Sequence, residues 1–252
     1  MFNINKNNTL EVLQQLVENN ISKTLSYMPE SFNEQQKGAI ELFQKRIFLE
    51  KIVDESIAFN KKLTFPNENK NLQLATTAED LVEVFKLRSD VLTKINYQSQ
   101  FPDTIEGLNF DKYDSTSAIL FYKTDKVITG TIRIIFDSSN KLPSEDNFCF
   151  NNVRNKYHYV GELSRLIVNK ESKGLSLEFK HLFSGIYYLF NNNDIDILLS
   201  CIKVEHYKLY TKFGGSNIVD GTKNFGSLGL PIYIMSWDPS KVSPFFKKAF
   251  LK

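Results

Sequence analysis

The sequence predicts an α/β protein: one mixed β-sheet with flanking helices, carrying an N-terminal helical extension. Three observations lead there. From residue 71 onward, short β-rich runs and amphipathic stretches follow the order strand, helix, strand, strand, strand, helix, strand, helix, strand. Helices that follow strands act as crossovers, and that pattern belongs to mixed sheets. Before residue 71 the texture is helical only, and the polar stretch Phe65-Pro66-Asn67-Glu68-Asn69-Lys70-Asn71 separates the two parts. The expected division is therefore an extension over 1–70 and an α/β domain over 71–252.

Taken in order, residues 9–28 and 33–62 have helical apolar spacing, with Leu10, Leu13, Leu16 and Val17 in the first and Ile40, Phe43, Ile47 and Ile52 in the second. Pro29 and Ser31 interrupt them. NLQLAT (71–76) alternates as a strand does. AEDLVEVFKLRSDVL (78–92) is an amphipathic helix with Thr77 as its N-cap. SAILFYKTDKVITGTIRIIF (117–136) reads as a hairpin around a Lys-Thr-Asp-Lys turn, and KLPSEDNF (141–148) as a loop. YHYVGELSRLIV (157–168) is a strand, 175–192 a helix and IDILLSCI (195–202) a strand. EHYKLYTKFG (205–214) is a short helix that runs into a glycine pair, and LPIYIMSWD (230–238) is the last expected strand.

Composition narrows the function. The chain has 252 residues, 42% hydrophobic and 24% charged, which is globular. With 21 Phe and 11 Tyr there is apolar mass for a large core or an apolar tunnel. A net charge of +2 does not point to nucleic acid as a partner. The two cysteines, Cys149 and Cys201, make no disulfide framework, and no Cys/His spacing marks a metal site. The N-terminus lacks a basic start followed by an apolar core, and no apolar run approaches the roughly 20 residues of a membrane span. The expectation is a cytoplasmic protein.

The chemistry-bearing residues are charges in apolar strands. GELSRLIV (161–168) holds Glu162, Ser164 and Arg165, and GTIRIIF holds Arg133. Ionised groups are rarely buried unless paired or working. Glu162 and Arg165 are three apart, so a regular strand would turn them to opposite faces and a bulge would bring them together. A structural salt bridge and an active site explain these charges equally well. Asp111 and Asp114 in FDKYDSTS could grip an amine or merely cap a solvated turn. Arg88, with Tyr97 downstream, is either a site residue or a surface residue with a buried stem. Lys173, Gly174 and Ser176 precede a helix and form either a phosphate cradle or a capped turn.

In order along the chain, Arg88, Tyr97, Asp111, Asp114, Gly130, Arg133, Glu162, Ser164 and Arg165 resemble the acyl-homoserine-lactone synthases and the long-chain N-acyl amino acid synthases, both of the GNAT-like acyltransferase fold. The similarity runs over about residues 72–168. KVEHYKLYTKFGG (203–215) is similar to the late GNAT helix whose tyrosine, here Tyr210, sits near a thioester sulfur. Val91 and Leu92 stand where lactone synthases usually have an aromatic, Tyr97 where a tryptophan is common, and Leu166 where Phe is frequent. With the N-terminal extension and the LPIYIMSWD strand, these departures favour the amino acid synthase branch.

The resemblance implies an enzyme that moves a fatty acyl group from an acyl-phosphopantetheine donor, carried by acyl carrier protein or coenzyme A, to the amine of an amino acid. No permanently bound cofactor and no metal are implied. Glu162 would be the base, Arg133 and Arg165 would hold a carboxylate or orient Asp111 and Asp114, and Lys173, Gly174 and Ser176 would receive the donor arm. Ile119, Phe121, Ile135 and Phe183 could line an acyl slot. Lys170, Lys173, Lys180 and Lys208 could dock the acidic carrier protein. The alternatives are an acyl-homoserine-lactone synthase using S-adenosylmethionine, an ordinary GNAT acetyltransferase, and a catalytically idle GNAT-like binding domain.

Overall fold

The structure, a computed structural model, describes residues 15, 30–137, 141–169 and 175–251. The expected helix 9–28 lies outside these apart from Gln15, which is helical. Chain contacts divide into two units, Met1–Lys51 and Ile52–Lys252. Helix α1, Glu30–Asn60, crosses the division in sequence. Its part in the first unit is largely exposed where described.

The second unit is built on seven strands: β1 (Leu72–Leu74), β2 (Ser117–Thr124), β3 (Val127–Phe136), β4 (Val160–Val168), β5 (Ile197–Lys203), β6 (Ser216–Phe225) and β7 (Leu230–Trp237). They are ordered β1-β2-β3-β4-β5-β7-β6. All neighbours are antiparallel except β4 and β5. A parallel pair needs a crossover, and α4 (Leu177–Asn192) supplies it, capped by the Ser176 hydroxyl, which accepts from the Phe179 N–H.

Local chemistry accounts for the elements. Helix α2 (Ala78–Lys94) starts where Thr77 accepts from the Asp80 N–H, and Leu81, Val84, Phe85, Arg88 and Leu92 form its buried stripe. The β2–β3 hairpin turns on Asp125 and Lys126, both at positive φ, which matches the tight two-residue turn that strand twist favours. The short helices are α3 (Asn151–Arg154), α5 (Tyr207–Thr211) and α6 (Pro244–Phe250). On one sheet face Leu120, Tyr122, Ile132 and Ile134 pack with Leu182, Phe183 and Ile186 of α4 and with Phe246 and Phe250 of α6. Ile135, Val160, Leu199 and Ile234 form a core with Leu142, Phe150 and Val153. Gly130 of β3 is needed for close packing: a Cβ there would lie 3.2 Å from Leu182 Cδ1 and 3.3 Å from Glu178 Cβ.

Three elements differ from expectation, counting the four-residue helix α3, which is too short to show a helical period. Strand β6 was not anticipated, because neither of its faces is buried and SNIVDGTKNF lacks the apolar alternation that marks a strand. Helix α6 was also missed; its seven residues are too few for a clear helical period.

The last turn of α1 belongs to the second unit through two polar side chains. Ser56 donates to the Asp114 carbonyl at 3.0 Å. Asn60 donates to the Ser56 and Ser117 carbonyls, each at 2.9 Å, and accepts from the Ile119 N–H at 2.9 Å. Asn60 is 1% exposed. Replacing it with alanine leaves buried backbone groups of β2 without partners. The Asn60→Ala protein should lose about 2–4 kcal/mol in urea unfolding, while an exposed neighbour such as Lys61→Ala should change little.

Candidate active site

One extra residue in β4 organises the site. Thr131 of β3 pairs with Ile167, but Arg133 pairs with Ser164, so three β4 steps oppose two β3 steps. Arg165 absorbs the difference with a φ of 52°. This bulge turns Glu162, Ser164 and Arg165 toward a common cavity. Beside it, parallel pairing with β5 stops at Leu163–Ser200, although β4 runs on to Val168 and β5 to Lys203. The two strands are unpaired beyond that point. A cavity of about 690 Å³ occupies the opening, walled by Tyr97, Asp111, Ser144, Glu162, Arg165 and Cys201 and, from the α4 side, by Phe183, Tyr210, Phe213 and Trp237.

Behind the wall lies a network of three guanidiniums and two carboxylates. Arg133 grips Asp111 in a fork, Nη1 to Oδ1 at 2.7 Å and Nη2 to Oδ2 at 2.8 Å. Its Nη1 is also 2.8 Å from Asp114 Oδ1, and its Nε donates to the Ser164 hydroxyl at 2.7 Å. Arg88 Nη1 reaches Asp114 Oδ1 at 2.8 Å, and Arg165 Nη2 reaches Asp111 Oδ2 at 3.1 Å. The D-x-x-D spacing has a local cause: the two aspartates cap the 3₁₀ turn Lys112–Thr116, with the Asp111 N–H donating to Asp114 Oδ2 and the Tyr113 N–H donating to Asp111 Oδ1. Every carboxylate oxygen of the pair is thus engaged.

The electrostatics follow from burial and pairing. Burial alone would raise the Asp111 carboxyl, but Arg133, then Arg165 and Arg88, outweigh it and hold it well below the usual carboxylate range. Burial would lower Arg133, yet Asp111 and Asp114 raise it. Arg88 is lowered, because burial outweighs Asp114. Arg165 is pushed down to about 10 by burial and by Arg133, against Asp111. Its guanidinium carbon lies 4.3 Å from the Phe101 ring centroid, a cation–π contact, and its Nε has no hydrogen-bond partner. Three cations against two anions leave one positive charge, and Arg165 is the guanidinium that shares its carboxylate with a stronger partner at the cavity wall.

Glu162 is separate from this network. It forms no ion pair among the described residues. Its Oε2 accepts from the Ser144 hydroxyl at 2.6 Å and the Ser144 N–H at 3.1 Å. Burial raises its pKa above 4.5, and the Ser144 hydrogen bonds oppose that rise. Burial pushes the Tyr210 hydroxyl up to about 12, and burial with Glu162 does the same to the Cys201 thiol.

The expected site residues divide. Glu162, Ser164, Arg165, Arg133, Asp111, Tyr97 and Tyr210 meet at the cavity. Arg88 and Asp114 are fully buried behind it and do not reach the cavity wall. Ser176 caps α4, whereas Lys170, Lys173 and Gly174 lie outside the described residues. Of the four slot residues only Phe183 lines the cavity; Ile119, Phe121 and Ile135 are core. Ser144, Cys201 and Lys203 join the wall without having been singled out. Lys203 Nζ stands 5.0 Å from the Tyr97 ring centroid.

Removing one member of the buried network strands the others. Asp114→Ala should cost about 3–5 kcal/mol in denaturant unfolding, since two buried guanidiniums lose their shared carboxylate. Asp111 has a depressed native pKa, so its contribution is complete above about pH 4 and declines as pH falls toward the lowered native value. In acid unfolding series Asp111→Asn should flatten that decline.

The family model for the N-acyl amino acid synthase FeeM matches residues 83–238. No curated protein matches the chain significantly. Among solved structures, FeeM, an N-acyl amino acid synthase from uncultured soil microbes, is similar at 16% identity and TM-score 0.53, covering 71% of this chain and 99% of that one. The acyl-homoserine-lactone synthase LasI is similar at 19% identity and TM-score 0.51, covering 71% and 93%. A coenzyme-A-dependent lactone synthase, BjaI, with SAM and isopentyl-CoA, is similar at 12% identity and TM-score 0.53, covering 69% and 81%. These structural likenesses carry the fold, and the family match spans more than half of the chain. The chain belongs to the FeeM family of N-acyl amino acid synthases, and it is an N-acyltransferase with the mixed sheet of GNAT-type enzymes.

Proposed function

We propose that the protein transfers a fatty acyl group from the thioester of an acyl carrier protein to the amine of an amino acid, giving an N-acyl amino acid. The observation that carries this reading is the cavity at the opening between β4 and β5, with a charge-neutral aromatic side and a side bearing Glu162 and Arg165. An acyl chain suits Phe183, Phe213 and Trp237. An amino acid offers an amine to Glu162 and a carboxylate to the surplus positive charge at Arg165. In this reading residues 71–252 are the acyltransferase domain and 1–70 a helical extension.

The steps follow from the residues. An amine attacks only when neutral, so Glu162, made more basic by burial, accepts its proton directly or through a water. Attack on the thioester carbonyl gives a tetrahedral oxyanion, and backbone N–H groups at the β4 bulge are the donors proposed for it. Tyr210 keeps its proton at neutral pH and is the candidate to donate it to the leaving thiolate. Arg133, Asp111, Ser164 and, from behind, Arg88 and Asp114 hold Arg165 in place. The donor arm enters between β4 and β5 toward the start of α4, where Lys173, Gly174 and Ser176 are the proposed contacts. Lys180 and Lys208, with Lys170 and Lys173, are the proposed docking surface for the acidic carrier.

A coenzyme A donor is the second reading, favoured by the likeness to BjaI, whose structure holds isopentyl-CoA. The lactone-synthase product is distinguished by experiment. Mass spectrometry of lipid extracts from cells overexpressing the protein should reveal a new N-acyl amino acid, reduced about 10²–10⁴-fold in Glu162→Gln. A lactone in its place would overturn the acceptor. Because the base works deprotonated, activity should rise with pH through a midpoint above 4.5.

A further inference from the structure

The turn that carries Ser144 is braced more firmly than a surface connection requires. It is a 3₁₀ turn, Pro143–Asp146, in the segment between β3 and α3. The Leu142 N–H donates to Glu145 Oε2 at 2.8 Å. Arg154 of α3 then holds both Glu145 oxygens, Nε to Oε1 and Nη2 to Oε2, each at 2.7 Å, and turns Nη1 to Asp137. Leu142 is fully buried and Ser144 is 5% exposed. The brace ends on one atom of the site: both the hydroxyl and the N–H of Ser144 land on Glu162 Oε2. No hydrogen bond among the described residues reaches Oε1, and Oε1 is not among the buried atoms left without a partner.

We propose that Ser144 is a positioning residue for acyl transfer: it clamps one oxygen of Glu162 and so presents the other to the cavity. This rests on the reading of Glu162 as the base. A carboxylate hanging freely in a cavity samples several rotamers, and only some place an oxygen against an incoming amine. Two donors on one oxygen select a single rotamer, and the Glu145–Arg154 brace fixes where those donors stand. The clamp also acts on the proton. Hydrogen bonds to the charged form favour that form, so the clamp keeps a buried carboxylate from becoming too basic to release its proton. The charged and titratable groups facing Glu162 are Arg133 on β3, Glu145 on the turn and Cys201 on β5. Arg133 favours the carboxylate and Glu145 disfavours it; the Cys201 thiol stays protonated.

The test uses the full chain labelled with ¹³C at the glutamate carboxyl, with Glu162→Gln identifying the Glu162 signal. Ser144→Ala should raise the Glu162 titration midpoint by about one pH unit, since it removes one hydrogen bond to a charged group. The same variant should lower the acylated product in cell extracts at least about tenfold, and Ser144→Thr, which restores the hydroxyl, should recover it. Arg154→Gln, which loosens the turn without touching Glu162, should move midpoint and product in the same direction by less. An unmoved midpoint or undiminished product in a folded Ser144→Ala protein overturns the clamp, while loss of product in Glu162→Gln still upholds the base. Full product in Glu162→Gln overturns the reading of the base, and the clamp with it.

Discussion

The single extra residue in β4 is the constraint on which the site depends. Strand side chains alternate, so an unbroken β4 would send Glu162 and Arg165 to opposite faces. The bulge at Arg165 breaks the alternation where the strand leaves β5. One irregularity thus does two things: it gathers unlike charges on one cavity, and it marks the end of the parallel seam through which that cavity opens. On the β5 side of the opening the antiparallel β5–β7 pair runs without a register shift from Leu198–Trp237 to Lys203–Ile232 and holds that edge in place.

Around that point the protein separates two kinds of charge. Arg88, Arg133, Asp111 and Asp114 form a buried network in which every carboxylate oxygen is engaged and mutual pairing holds the charges, while Arg88 Nε and Nη2 have no hydrogen-bond partner. Glu162 stands outside it with neutral hydrogen-bond donors and a raised pKa. In the proposed mechanism Glu162 exchanges protons and the network only orients, and neighbours that leave the first charge free and fix the second suit those two tasks. Arg165 stands between the two sets, tied to Asp111 and in contact with the cavity.

How much of this was legible in the sequence depends on the range of the physics involved. The strands from NLQLAT to LPIYIMSWD are readable because each carries buried apolar residues on at least one face, β2 and β3 on both, and β6 is not because it buries neither. The odd charges of GELSRLIV and GTIRIIF pointed to the centre of the site, and the need for a bulge followed from spacing alone. The rest is non-local. That Arg88 is sealed in by Asp114 depends on a helix meeting a turn 26 residues away. The Ser144 contact to Glu162 spans 18 residues, and nothing in KLPSEDNF marks that serine. Alternation groups Ile119, Phe121 and Ile135 as buried but does not say which buried residues border empty space; only Phe183 does.

Arg165 sits in the left-handed region, where a side chain costs roughly 1–2 kcal/mol and a glycine costs little. A glycine would relax the backbone and deliver no cation. A relaxed backbone and a cation at the cavity therefore ask for different residues at this one position, and the chain carries the cation.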